Sequence, residues 1–372
     1  MLFEKDFLAF YSIMICRYLN NIKGGKSMQL NINDTIDKLV NLLNIPSPSG
    51  NAIKAIDFAE KEFNSLGIKT YRTNKGALVG TIKGECDEKQ RTLSGHVDTL
   101  GGMVKEIKSN GRLKITQIGG YSWNSIEGEY CTVEASNGKL YTGTIITTKA
   151  SVHVYGSEAR NQERNGDTIE IRLDEKVNTK NGTEKLGISV GDYVFFDPRA
   201  MVTESGFVKS RHLDDKAGVA CILEIAKYLI QNNITPKYTT NFFISNYEEV
   251  GHGASAAIPE KTFEFVSIDM AAPGDGQTSD EFSVTICAKD SSGPYDLELR
   301  KHLVKLASEN DINYKVDIYP YYGSDASASL IAGHDFKTGL IGPGVDASHS
   351  HERTHKEAIE NTIKLGILYL TK

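Results

Sequence analysis

The sequence predicts an α/β protein, a mixed sheet between helical layers in an αβα arrangement, interrupted by a smaller β-rich, barrel-like insertion. Helix and strand patterns alternate up to about residue 100 and again from about residue 208, the mark of an α/β domain. Between about 101 and 207 the runs turn β-branched and aromatic, with Gly, Asn and Asp between them and no amphipathic helix. Each α/β stretch is short for a core of its own, so 28–100 and 208–372 are expected to fold together around one sheet. The length of 372 residues also suits two domains, at roughly 100–200 residues each.

The elements follow in order. Asp34 or Thr35 is placed to cap a first helix that carries Ile36, Leu39, Val40 and Leu43 on one face. Ile45-Pro46-Ser47-Pro48-Ser49-Gly50 stops it. A second helix places Ile56, Ala59, Phe63 and Leu66 at helical spacing, and Gly67 supplies a left-handed end. Strand signals come at 69–73, 78–83 and 91–95, the last leading straight into His96-Val97-Asp98. The insertion shows strand runs at 112–118, 139–149, 168–173 and 192–197. Beyond Ser210 the pattern reads helix over 215–231, strands over 239–245 and near 264–269, then helices over 295–308 and 356–370.

Composition excludes several classes of function. The net charge is −6, from 42 Lys plus Arg and 48 Asp plus Glu, and no basic run is long enough to follow a phosphate backbone, so nucleic acid is not an expected partner. Five cysteines, at 16, 86, 131, 221 and 287, are scattered and never form C-x-x-C, which suits a reducing, cytoplasmic setting. The apolar segment Phe7 to Met14 follows Glu4 and Asp6 where a signal would be basic, and it is too short to span a bilayer; no membrane association is expected. Met28 opens a sequence that looks like an ordinary folded start, so residues 1–27 read as an upstream extension or an arm.

Five short segments place acidic or imidazole side chains at expected strand ends and loop starts: Gly95-His96-Val97-Asp98-Thr99, His212-Leu213-Asp214-Asp215-Lys216-Ala217-Gly218, Tyr247-Glu248-Glu249-Val250-Gly251, Ser267-Ile268-Asp269-Met270 and Ser348-His349-Ser350-His351-Glu352. In open α/β sheets the carboxyl ends of the strands form the crevice where such groups can converge. Two divalent ions need a bridging carboxylate with terminal imidazoles and carboxylates. Asp214 can bridge, His96 with Asp269 can complete one ion, and Glu249 with His349 the other. The mixed N/O donors suit Zn²⁺, with Co²⁺ or Mn²⁺ as alternatives. Of the adjacent pair, one carboxylate can bind metal while its neighbour Glu248 accepts a proton from the attacking water. Asp98 is placed to accept a hydrogen bond from the second nitrogen of His96.

Blander readings exist for each segment taken singly. His96 with Asp98 can be a surface pair, Glu248-Glu249 a solvated helix start, and Asp215 the cap of the helix that begins at Lys216. In the cluster of His349, His351 and His355 only one residue need be a ligand.

Order and spacing of all five segments resemble the tetrahedral, glutamyl-aminopeptidase-like family of dinuclear metallo-aminopeptidases, over nearly the whole chain from about Met28. Gly95-His96-Val97-Asp98 is similar to that family's first ligand motif. Leu213-Asp214-Asp215-Lys216-Ala217-Gly218 is similar to its L-D-D-R-x-G, in which the first Asp bridges. Glu248-Glu249-Val250-Gly251 resembles its base-then-ligand pair, Ile268-Asp269 its third carboxylate, and His349-Ser350 its final H-S. Two departures stand out: Lys216 replaces the commoner Arg, and Ala347-Ser348 replaces an Arg-Tyr, which leaves His351 as the alternative to His349.

The resemblance implies a cytoplasmic aminopeptidase that removes N-terminal residues from short peptides. It further implies an insertion used in dimerisation and a homo-oligomer of dimers assembling into a hollow dodecamer. Two other readings use the same residues: an amidohydrolase or deacylase acting on N-acyl amino acids or small amides, and a catalytically inactive binding module.

Overall fold

The computed structural model describes residues 28–372. Its contacts divide the chain at Asn31, and the unit from Ile32 to Lys372 holds every element named below. The reading of residues 1–27 as an extension or arm, and Cys16 with it, lies outside the described residues.

Helices α1 (Ile32–Leu43) and α2 (Ile53–Ser65) lead into strands β1 (Lys69–Arg72), β2 (Leu78–Ile82) and β3 (Cys86–His96). Six strands follow without a long helix: β4 (Gly101–Ile107), β5 (Leu113–Ile118), β6 (Tyr130–Glu134), β7 (Leu140–Thr147), β8 (Ile169–Leu173) and β9 (Tyr193–Phe196). Two short strands, β10 (Met201–Val202) and β11 (Phe207–Ser210), precede α3 (Leu213–Gln231). The chain then runs through β12 (Tyr238–Ser245), β13 (Thr262–Ile268), β14 (Val284–Lys289), α4 (Leu297–Glu309), β15 (Tyr314–Ile318) and α5 (Asp325–Ile331). It finishes with β16 (Lys337–Pro343), β17 (Glu352–His355) and α6 (Lys356–Thr371).

The sequence-level ends hold to within a few residues where turn chemistry sets them. Gly67 takes φ +73, and the N–H groups of Gly67 and Ile68 bond back to the carbonyls of Asn64 and Phe63, a Schellman closure of α2. Helix α1 begins before the expected cap, so Asp34 lies inside its first turn, where it accepts from Lys227 of α3 at 2.7 Å and ties the two helices together.

The main sheet has eight strands in the order β1-β2-β12-β3-β13-β16-β14-β15. Its centre, β12-β3-β13-β16, is parallel, so four carboxyl ends point to one edge. Ser245 pairs with His96 across β12/β3, and Ser267 with Ser94 across β13/β3, which puts Asp269 level with His96. Strands β4 to β9 close an antiparallel barrel in the order β4-β5-β8-β7-β6-β9, filled by Val104, Leu113, Ile115, Val133, Ile145 and Ile171. The sequence-level insertion of 101–207 covers this barrel, while 201–210 form a separate three-stranded sheet with β17, in the order β10-β11-β17.

That small sheet matters for the site. It pairs Ser210, three residues before Leu213-Asp214, with Glu352, three residues after His349. Two distant stretches of chain are thus held side by side by backbone hydrogen bonds.

Candidate metal centre

Helix α3 meets the sheet where glycine permits it. A Cβ on Gly218 would lie 2.2 Å from Asp215 Oδ1 and 2.3 Å from the Ile268 carbonyl oxygen, and one on Gly95 would lie 2.9 Å from Ile222 Cδ1. The glycines at 95 and 218 therefore let the helix start press against the ends of β3 and β13. Asp214 and Asp215 are non-helical, and the peptide bond between them is cis. Asp215 Oδ1 accepts from Gly218 N–H at 3.1 Å, the capping contact expected of it, while Oδ2 accepts from His96 N–H at 3.2 Å.

Sequence reasoning gathered His96, Asp214, Glu248, Glu249, Asp269 and His349 at one site, and the fold brings these side chains together. Asp214 stands between the two imidazoles: Oδ1 is 3.3 Å from His96 Nε2, and Oδ2 is 3.2 Å from His349 Nε2. Glu249 Oε2 lies 3.4 Å from His349 Nε2, and Glu248 Oε2 lies 3.6 Å from His96 Nε2. Ligand atoms of Asp214, Glu249 and His349 lie within 4.8 Å of one another, and so do those of His96, Asp215 and Asp269. His351 belongs to neither group; Arg199 and Arg211 lie near it instead.

Both imidazoles are oriented in the same way. A carbonyl oxygen only accepts, so His96 Nδ1 donates to the Asp98 carbonyl at 2.9 Å, and His349 Nδ1 donates to the Gly120 carbonyl from the loop after β5. Each Nε2 is thereby turned toward Asp214. The Asp98 carboxylate does something other than expected of it. It is 3.6 Å from His96 Nδ1, and it accepts from Glu248 N–H at 3.1 Å, Glu249 N–H at 3.3 Å and the Ser49 hydroxyl. It therefore ties down the backbone of the two glutamates. The backbone here is held in left-handed conformations at His212, Tyr247, Ala347 and His349, strain of a kind that clusters at functional sites.

Glu352, which sequence reasoning left without a role, has a clear one. Oε2 accepts from Asp214 N–H and Oε1 from His349 N–H, both at 3.1 Å, so one buried carboxylate clamps the backbones of two candidate ligands. Its only signal in the sequence was its place three residues after His349. Asp325 was also missed: buried, it accepts from Ser94 at 2.7 Å, Ser245 at 2.5 Å and Ala254 N–H at 2.8 Å, joining the ends of β3 and β12 to the loop beyond Glu249.

The electrostatics fit bound cations. Burial, and then mutual repulsion with Asp214, pushes the Asp269 carboxyl up to about 7. Burial likewise lifts Glu248 and Glu249 well above the carboxylate range, with neighbouring acids adding to it. For Asp214 burial acts upward, but the adjacent His349 and His96 imidazoles outweigh it and hold its pKa down. For His96 burial acts downward, but Glu248 and Asp214 outweigh it and raise the imidazole well above 6.5. Among the described residues, His96 Nε2 and Glu249 Oε1 are buried without a hydrogen-bond partner. Such unpartnered buried nitrogen and oxygen atoms within a converging set of carboxylates are what divalent ions satisfy.

Comparison with known proteins shows the family. Residues 76–365 match the family described as M42 glutamyl aminopeptidase. The chain belongs to the M42 family. It is an aminopeptidase, a hydrolase of a metallopeptidase family. The Bacillus subtilis (strain 168) protein named "Putative aminopeptidase YhfE" is 53% identical over 339 residues, covering 91% of this M42 chain and 98% of that relative. The glutamyl aminopeptidase of Lactococcus lactis subsp. cremoris (strain MG1363) is 22% identical over 327 residues, covering 86% and 90%. Among solved structures, the TET1 peptidase of Pyrococcus horikoshii superposes with a TM-score of 0.78 at 23% identity, covering 91% of this chain and 99% of that one. A TET aminopeptidase from Thaumarchaeota archaeon SCGC AB-539-E09 gives 0.82 at 19% identity, covering 91% and 97%. These structures share the peptidase fold with its inserted barrel. Among the described residues, no helix is long and apolar enough to cross a membrane.

Proposed function

We propose that this M42 peptidase is a dinuclear metallo-aminopeptidase that releases N-terminal residues from short peptides, with Glu248 as general base. The observation that carries this reading is the Asp214 carboxylate, one oxygen turned to His96 and the other to His349. His96, Asp214 and Asp269 would hold one ion; Asp214, Glu249 and His349 the other. Zn²⁺ suits these donors best, with Co²⁺ and Mn²⁺ next. When bound, the ions supply positive charge that polarises the scissile carbonyl and lowers the pKa of a water toward about 7.

The chain's own residues do the rest. The Glu248 carboxylate, beside His96 and held by Asp98 through its backbone, takes a proton from the attacking water. The oxygen bonds to the carbonyl carbon, the C–N bond breaks, and Glu248 returns its proton to the departing amine. Asp98, Asp215 and Glu352 keep the reacting groups in position from buried sites. Exopeptidase action follows if the free amine of the substrate is held at the centre.

For location and assembly we propose the cytoplasm and a closed homo-oligomer of dimers, with the barrel at the dimer contact. Support comes from the Pyrococcus horikoshii TET1 peptidase, which is described as assembling into a tetrahedron or a large octahedral shell. Light scattering on the purified protein is expected to give a dodecamer; a stable monomer would contradict it.

The activity is tested by incubating metal-loaded enzyme with matched peptides whose N-terminus is free or acetylated. Hydrolysis of the free set alone is expected. Cleavage of the acetylated set alone would replace this reading with a deacylase.

A further inference from the structure

A cavity of about 600 Å³ opens beside Glu248, Glu249 and Asp269 and is walled on its far side by two segments, 270–277 and 319–323. Those walls are apolar and aromatic: Met270, Ala272, Pro273, Tyr319, Pro320 and Tyr322. They are also firmly braced. Tyr322 donates its hydroxyl to the Met270 carbonyl at 2.9 Å, the rings of Tyr319 and Tyr322 pack at 5.2 Å, and Gln277 bonds the Ile318 carbonyl at 2.7 Å. The Tyr319 hydroxyl is occupied by Ser279 at 2.9 Å.

The charge in this space is one-sided. Asp214, Glu248, Glu249 and Asp269 cluster at the metal end, where cations would offset them. Asp275, exposed on the outer wall, is a further carboxylate that lies outside that cluster, and among the described residues no Lys or Arg lines the cavity.

From this the geometry points to a specificity opposite to the one the family description suggests: the pocket takes a large neutral, apolar N-terminal side chain of the leucine or methionine kind and rejects glutamate and aspartate. The inference rests on the aminopeptidase reading above: with the substrate's amine held at the metal centre, the adjoining cavity is the space open to its first side chain. An apolar side chain of leucine size would bury its surface against Met270, Pro273 and Tyr322. A glutamate side chain would lose water among aromatic walls with no Lys or Arg to receive it, and would meet Asp275 as a like charge.

The test is a set of aminoacyl p-nitroanilides bearing Leu, Met, Lys and Glu, with N-acetyl-Leu p-nitroanilide alongside, given to the metal-loaded full-length enzyme. Leu and Met are expected to exceed Glu in kcat/KM by at least about 100-fold, near the upper range of what one pocket achieves against a neighbouring side chain. Asp275→Lys is expected to narrow the Leu-to-Glu gap by about tenfold, chiefly through the KM for Glu. Glu matching or exceeding Leu would overturn the inference. So would Lys ranking first, because Asp275 rather than the aromatic walls would then govern selection. An unchanged gap in Asp275→Lys would remove Asp275 from it. Cleavage of the acetylated substrate alone would overturn the aminopeptidase reading itself, a result distinct from any ranking among the free amines.

Discussion

The two halves of the candidate metal centre are built differently. His96 and Asp269 stand at the ends of adjacent parallel strands, level with each other, and the His96 side chain is only 1% exposed. His349 sits on a loop in left-handed backbone, 37% exposed, held by Glu352 and by a carbonyl of the loop between barrel strands β5 and β6. One half is fixed by the sheet, and the other by single hydrogen bonds from two other parts of the chain. Rigid strands position ligands without help, whereas a loop ligand depends on partners that are themselves placed by tertiary contacts.

The same difference explains what was legible in the sequence. His96, Glu248-Glu249 and Asp269 each follow an apolar strand run, and Asp214-Asp215 precedes a long helix, so local pattern located them. The glycines of the first two motifs, Gly95 and Gly218, mark the close approach of α3 to the sheet. His349 carried no such frame, and only the fold separates it from His351. Glu352 and Asp325 were invisible because their work is to accept hydrogen bonds from residues far away in sequence. Among strands, β4, β6, β10, β11 and β14 to β17 were not foreseen. Several are short, and β16 reads Lys-Thr-Gly-Leu-Ile-Gly-Pro, with glycines and a proline that weaken a strand signal.

The comparison can be sharpened by removing one contact at a time. Glu248→Gln, on the sheet-fixed side, is expected to lower kcat by about 10²–10⁴-fold while metal content by elemental analysis stays unchanged. Wild-type turnover in that variant would eliminate Glu248 as the base.

Glu352→Gln acts on the loop side. Both of its oxygens accept backbone N–H bonds, and an amide offers only one acceptor, so metal affinity is expected to fall by about 10–100-fold, as for other outer partners of ligands. A metal titration of the variant that overlays the wild type would show that the loop needs no clamp. Gradual chelation of the wild-type enzyme should also release its ions in two steps, the more exposed His349 side first; simultaneous release would erase the contrast between the halves.

His351→Ala is expected to change kcat/KM by less than about twofold, as a surface substitution outside the site. A loss as large as that of His349→Ala, measured side by side, would move the loop ligand to position 351.

The Asp214 carboxylate lies between the two halves, and on the proposed reading it bridges their two ions. Its direct test is the metal stoichiometry of Asp214→Ala by elemental analysis, with folding checked by circular dichroism. Loss of both ions from a folded protein is the predicted result, and a folded variant that still carries two ions would contradict a shared carboxylate.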